Sequence, residues 1–207
     1  MNQMIEFNWK VSSHVNAMTI LHTTLVPESH PSRLGPTFMS KFYFYVLPKL
    51  NLLNGYLCMK NDQYVGFILF TRKPNSFIIE GIKKAPLHFF FTLLNMIILN
   101  PIVVFNIIKM IFRKRTTKKY IIRGTHGQWL TFGVLPGVLK IIDESGHRIS
   151  HQLVEKMILW FKERGFKKIF AGVRKNNLPA ILFYNSLGFE MIKSKRDDKF
   201  YDFQIKL

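Results

Sequence analysis

Two apolar runs, GYLCMK and QYVGFILFT, flank the polar pair Asn61 and Asp62, and together they predict a β-hairpin of two central strands. Further along, QWLTFGVLP reads as a strand. LVEKMILWFKERG repeats its apolar residues at helical spacing and stops at Gly165. KKIFAGV reads as a buried strand, NLPAILFYNSLGF as a short helix stopped by Gly188, and FYDFQIKL as a closing strand with two-residue alternation. The succession strand, helix, strand, helix, strand predicts an α/β chain with a mixed sheet and a right-handed crossover. Toward the amino end, Ser12 or Ser13 caps a helix reaching Leu25, PESHPSRLGP forms a loop, and a second helix runs from about Thr37 to Pro48.

One stretch departs from this rhythm. Residues 85–108 contain no Lys, Arg, Asp or Glu, which by length alone is enough to span a bilayer. Pro101 lies inside the stretch and biases Asn100 away from helical angles, so the pattern predicts two helices. His88, Thr92 and Asn95 make a narrow polar stripe on the first, and Asn106, Lys109 and Arg113 make one on the second. A basic run, Arg113 to Lys119, follows.

A chain of 207 residues fits one domain, 1–207, with an apolar helical insertion at about 85–115. Hydrophobic residues make up 48% and include 20 Phe, ample material for a core. The net charge of +18 selects phosphates, acidic carrier proteins, nucleic acid or an anionic membrane surface as partners. The lone cysteine, Cys58, can form no intrachain disulfide, and MNQMIEFNWK lacks the basic start and apolar run of a secretory signal; both point to the cytoplasm, with a peripheral position at the inner face of a membrane as a variant. The seven histidines are scattered without Cys partners or a short paired spacing, so no metal site is expected. No recognition motif accompanies the basic run, which reads as a solvated charge cluster before it reads as a nucleic-acid site.

The segment RKNNLPAILFYNSLGF resembles the carboxy-terminal signature of the GNAT acyltransferase superfamily, N-x-x-A-h-x-h-Y-x-x-h-G-F with h apolar. Asn177, Ala180, Tyr184, Gly188 and Phe189 occupy its fixed positions. TFGVLP is similar to the family's fourth strand, and ISHQLVEKMILWFKERGFKKI to its third helix and following strand. SRLGPTFMSKFY resembles a helix start in the subset of these enzymes that carries a hydrophobic helical insertion before the fourth strand. The resemblance implies a mixed, mostly antiparallel twisted sheet flanked by helices. It further implies acetyl-CoA or another acyl-CoA as donor, and an amine as acceptor.

Such a transfer needs a pyrophosphate cradle, a slot for pantetheine, a stabiliser for the oxyanion and a proton for the thiolate. Free N–H groups at a helix start favour phosphate. The family's cradle reads R/Q-x-x-G-x-G/A, and alignment through Ile149 and Leu153 sets Ser145, Arg148 and Ser150 at its three positions, matching none. Two readings stay open. In one, Gly146 takes the loop's special backbone angles while Ser145, His147, Arg148 and Ser150 supply side-chain donors; in the other, DESGHR is an ordinary turn and cap. The resemblance gives Tyr184 the role of protonating the leaving thiolate, against a bland reading as a packed aromatic. Asn177 reads as helix cap or cofactor contact. Backbone groups of Phe132, Gly133 and Val134 would meet oxyanion and pantetheine. For a general base, QWLTFGV offers no carboxylate, leaving Glu80, His126 and His151 as options, or a water relay.

The resemblance also bears on the insertion. A single membrane span would separate the hairpin from the QWLTFGV strand, which the family places in one sheet. Besides a span or a re-entrant hairpin, the readings are a helix pair that covers the sheet or lines an acceptor pocket, and an in-plane pair with its basic border at anionic headgroups. The leading expectation is an N-acyltransferase acting on a small amine or amino sugar, with acyl-CoA or an acidic acyl carrier protein as donor. The alternative is a catalytically degenerate GNAT-fold module that binds a membrane surface or a protein partner.

Overall fold

The computed structural model describes residues 2–74, 76–99, 124–139, 146–192 and 199–207. Among them runs a seven-stranded sheet made of β1 (Asn2–Glu6), β2 (Asn54–Lys60), β3 (Gln63–Thr71), β4 (His126–Val134), β5 (Lys168–Arg174), β6 (Glu190–Ile192) and β7 (Phe200–Lys206). The order across the sheet is β1-β2-β3-β4-β5-β7-β6. Every neighbouring pair is antiparallel except β4 and β5, which run parallel. This is the mixed, mostly antiparallel sheet that the sequence implies.

The hairpin forms as its turn chemistry dictates. Asn61 and Asp62 take left-handed angles, φ 48° and 59°, and two such residues in sequence match the twist of the strands they join. Along β3, Phe67 and Leu69 enter one core while Ile68 and Phe70 enter the other. A strand covered on both faces needs apolar residues at every position, which accounts for the unbroken run QYVGFILFT.

One face carries α1 (Ser12–Leu25), α2 (His30–Arg33), α3 (Pro36–Phe38), α4 (Val46–Lys49), α5 (Phe77–Lys84) and α6 (Pro86–Leu99). Met18, Leu21, Phe38, Phe42, Phe44 and Leu47 bury themselves here against Leu57 and Phe67. The other face carries α7 (Ile149–Glu163) and α8 (Leu178–Ser186). There Leu153, Met157 and Phe161 pack on Ile68, Phe70, Trp129 and Ile169. Helix α7 connects β4 to β5, as the parallel pairing requires.

Several expectations change. The helix from Thr37 to Pro48 is interrupted: α3 passes into a π-turn over Met39–Tyr43, closed by Phe44 N–H donating to the Met39 carbonyl at 2.8 Å, before α4 begins. The cause is local. Phe42, Tyr43 and Phe44 are all buried, and no single face of a regular α-helix can bury three consecutive side chains. Neither Ser12 nor Ser13 caps α1, because the cap position falls on Val11, whose side chain makes no cap bond. Strands β1 and β6 and helix α5 escaped the sequence reading, and within PESHPSRLGP, read as a loop, Ser29 caps the single turn of α2. The second apolar helix and the basic run to Lys119 lie outside the described residues.

Candidate functional site

Strands β4 and β5 pair only at His126 with Lys168, Gly127 with Ile169 and Gln128 with Phe170. Beyond these residues β4 continues to Val134 and β5 to Arg174 without meeting, and β5 stays paired with β7 along its whole length. The sheet is therefore forked from Trp129 onward. A register shift opposite Leu69 and Phe70, where Thr131 and Trp129 are the partners and Leu130 is skipped, bulges β4 at the start of the fork. Bulges bend a strand and increase its twist, which carries the end of β4 away from β5.

The backbone direction along the fork follows from one hydrogen bond. Leu135 N–H donates to the Val65 carbonyl at 2.8 Å, toward β3. With a period of two, Gly133 also points its backbone groups toward β3. Phe132 and Val134 therefore direct N–H and C=O to the side that β5 has left. Gly133 itself is confined, since a Cβ there would meet Leu25 at 2.9 Å and Phe67 at 3.0 Å.

On the opposite wall stands α8. Asn177 caps it, its side-chain oxygen accepting from Ala180 N–H at 3.2 Å. The far end closes with Gly188 at φ 78°, Gly188 N–H donating to Asn185 and Phe189 N–H to Tyr184, each at 3.0 Å. This is a Schellman closure, in which the residue after the glycine packs on the residue three positions inside the helix end. Tyr184 and Phe189 are that pair, with ring centroids 5.7 Å apart. All five signature positions thus have structural work in and around α8: a cap, the small residue whose amide it accepts from, a glycine stop and the two members of a hydrophobic clasp.

Tyr184 is 7% exposed and lies against Trp129 and Phe203 at 4.7 and 5.4 Å between centroids. Burial pushes its phenol well above the usual tyrosine range. Phe183 stacks on Phe132 at 5.3 Å across the fork, and the His151 ring meets Phe183 edge-on at the same distance.

Helix α7 starts beside this aromatic bridge. Its cap position is Arg148, which makes no side-chain cap bond, and no acidic residue stands in its first turn. His151 and Gln152 return their N–H groups to the Arg148 carbonyl, leaving Ile149 and Ser150 as first-turn amides with no preceding helical carbonyl to meet. Gly146 has φ 80°, the special angle expected of it, and Arg148 is exposed. Ser150 is buried with its hydroxyl 3.5 Å from His151 Nδ1. His147 is exposed two residues before the helix; Ser145 lies outside the described residues. First-turn amides that meet no side-chain cap among the described residues, a positive dipole and a nearby guanidinium suit an anion.

Of the base options, only His151 reaches the fork. His126 sits at the paired end of β4, its ring on Phe170 at 5.4 Å, six residues and about 20 Å of strand from Phe132. Glu80 belongs to α5, which packs on α4 and α6, and it accepts from Ser76 Oγ at 2.8 Å. One residue went unnoticed in the sequence: His22, 1% exposed on α1, with its Nδ1 2.8 Å from Ser32 Oγ and its ring 5.5 Å from Phe67. Burial lowers its pKa to about 4. Nothing in its sequence spacing separates it from an ordinary surface histidine.

Residues 143–189 match the model of the acetyltransferase (GNAT) family. No curated protein sequence matches the chain. Among solved structures, an N-acetyltransferase from Staphylococcus aureus Mu50 superposes with a TM-score of 0.59 at 11% identity, covering 100% of this chain and 98% of that one. A GNAT-family acetyltransferase from the same strain gives 0.57 at 14% identity, covering 100% and 99%. The PaiA N-acetyltransferase of Thermoplasma acidophilum, in complex with coenzyme A, gives 0.54 at 9% identity, again covering 100% and 99%. The chain thus matches the family's sequence model over α7, β5 and α8 and shares the fold of these acetyltransferases along its whole length.

Proposed function

We propose that the protein is an N-acyltransferase that moves an acetyl or longer acyl group from acyl-CoA to a primary amine of a small-molecule or sugar acceptor. The observation that carries this reading is the fork itself, with outward backbone groups on one wall, Tyr184 on the other and an uncapped helix start at its side. Phe132 and Val134 would pair with pantetheine amides as another strand does. Ile149 and Ser150 amides, helped by Arg148 and His147, would hold the pyrophosphate.

Acyl-CoA supplies the thioester, and the amine nitrogen forms its bond to the acyl carbon as the carbon–sulfur bond breaks. The amine gives up a proton to a base, and the sulfur departs as a thiolate that takes its proton from solvent. Tyr184 stands protonated across the working pH range because burial disfavours its phenolate. The same burial makes full transfer to a thiolate uphill. The hydroxyl therefore acts by donating a hydrogen bond to the sulfur as negative charge develops there, a role that leaves no phenolate in an apolar wall. His151, whose ring meets Phe183 at the fork, would receive the amine's proton.

The second reading, a catalytically silent binding module, draws on the sequence of the cradle, where Arg148 and Ser150 stand in place of the family's small residues. Calorimetric titration with acetyl-CoA and desulfo-CoA separates the two. Saturable binding, weakened roughly ten- to a hundredfold in Arg148→Glu as expected for a lost charge-assisted contact, supports the enzyme. Absence of binding by folded wild-type protein overturns it in favour of the module, and transfer from an acyl carrier protein would then be assayed with salt as the variable.

A further inference from the structure

Helix α6 is apolar apart from a stripe of His88, Thr92 and Asn95, and among the described residues only one side of it is covered. Phe89, Thr92 and Met96 are buried in the helical layer, with Phe89 5.2 Å from Phe42 between ring centroids. On the opposite side Leu87, Phe90, Phe91 and Leu94 recur at helical spacing and stand 68%, 53%, 57% and 38% exposed. A stripe of four large side chains on one arc is a contiguous patch, unlike the singly scattered apolar residues of an ordinary surface. The sequence of α6, PLHFFFTLLNMIIL, contains no charged residue. Exposed Lys83 and Lys84 close α5 immediately before it.

We infer that this arc docks on an anionic lipid bilayer, with the four apolar side chains at the headgroup boundary and Lys83 and Lys84 at lipid phosphates. Charge decides the occupant. A second copy on the same face would bring its own Lys83 and Lys84 toward these two. The acidic residue of α5, Glu80, already accepts from Ser76. The chain's charge of +18 adds to the repulsion between copies and to the attraction toward an anionic surface. A bilayer offers both anions for the lysines and apolar depth for the phenylalanines. Among the described residues no helix is long and apolar enough to cross a membrane, and α6 keeps its other half in the protein core, so the contact lies in the plane of the surface.

Flotation of the full-length protein tests the assignment, using vesicles of phosphatidylcholine alone and of phosphatidylcholine mixed with phosphatidylglycerol. The expected result is binding to the mixed vesicles that fades with salt. Joint replacement Phe90→Gln and Phe91→Gln weakens it at least about tenfold, the loss of one buried aromatic or more. Lys83→Gln with Lys84→Gln weakens it roughly thirtyfold, at about fivefold per lysine. Leu87→Gln with Leu94→Gln provides a second apolar pair, and circular dichroism checks that each variant is folded. Three results overturn the inference: no binding of wild type to anionic vesicles, binding that survives both apolar pairs, or a lipid-free dimer that Phe90→Gln and Phe91→Gln dissociate.

Discussion

Trp129 and Tyr184 stand with ring centroids 4.7 Å apart, and they join the two walls of the fork at the point where β4 and β5 part. The Tyr184 ring is accounted for by packing: it clasps Phe189 and meets Phe203. The hydroxyl is not, since phenylalanine would fill the same place without a buried polar atom. Tyr184→Phe therefore leaves the fold and acetyl-CoA binding in place while lowering kcat by roughly two to three orders of magnitude, the usual cost of losing one hydrogen-bond donor to developing negative charge. Steady-state kinetics beside a calorimetric titration checks this. Unchanged kcat would remove Tyr184 from the chemistry.

Gly127 lies at the last stretch of β4 that still pairs with β5, opposite Ile169. A Cβ at that position would meet the Phe161 ring at 2.2 to 2.8 Å. That ring is fully buried between Phe70, Trp160 and Phe166, so it has little room to yield. Gly127→Ala is expected to destabilise the protein by about 1–3 kcal/mol through overpacking, seen as a lower urea midpoint with the slope unchanged.

The sheet was largely legible because its signals are local. Asn61 and Asp62 announce a turn, Gly165 and Gly188 stop helices in left-handed angles, and the unbroken run of β3 marks a strand covered on both faces. Elements whose identity depends on tertiary context were not. Strand β1 has five residues with a mixed pattern and exists by pairing with β2. Strand β6 has three, two of them exposed, and exists by pairing with β7. The π-turn answers a demand to bury Phe42, Tyr43 and Phe44 together, which no helical period encodes. In the site, the α8 signature could be read through its resemblance to a family pattern, whose fixed positions the cap and the glycine stop explain. The fork could not, since it is a relation between two strands 34 residues apart at their nearest ends, Val134 and Lys168, and His22 needed the packing of Phe67 and Ser32 around it to become distinctive.

Asn177 shows how a signature residue can be tested for its structural share. Its side-chain oxygen takes one of the free amides of α8, at Ala180, and losing such a cap costs about 0.5–2 kcal/mol. Asn177→Asp retains an acceptor at the cap, whereas Asn177→Ala does not. Stability should fall by about 1 kcal/mol in the alanine variant and recover in the aspartate variant. If acetyl-CoA affinity falls in both variants while stability recovers in the second, Asn177 also touches the ligand.

His22 gives the fold a pH dependence whose sign can be worked out. Its imidazole is enclosed by Tyr43, Phe44 and Phe67, and desolvation lowers its pKa to about 4 from the ordinary 6.5. Above pH 6.5 the side chain is neutral in both folded and unfolded states and adds no dependence. As pH falls below that value the unfolded chain takes up a proton that the folded protein refuses until about pH 4, so stability drops across this window. At 1.36 kcal/mol per unit the full loss is on the order of 3 kcal/mol. Urea unfolding of wild type and His22→Phe at a series of pH values measures it, with phenylalanine matching the aromatic surroundings. The difference in stability between the two proteins should change between pH 6.5 and 4, wild type losing more. A constant difference across the window would mean that His22 takes up its proton in the folded state as readily as in the unfolded one.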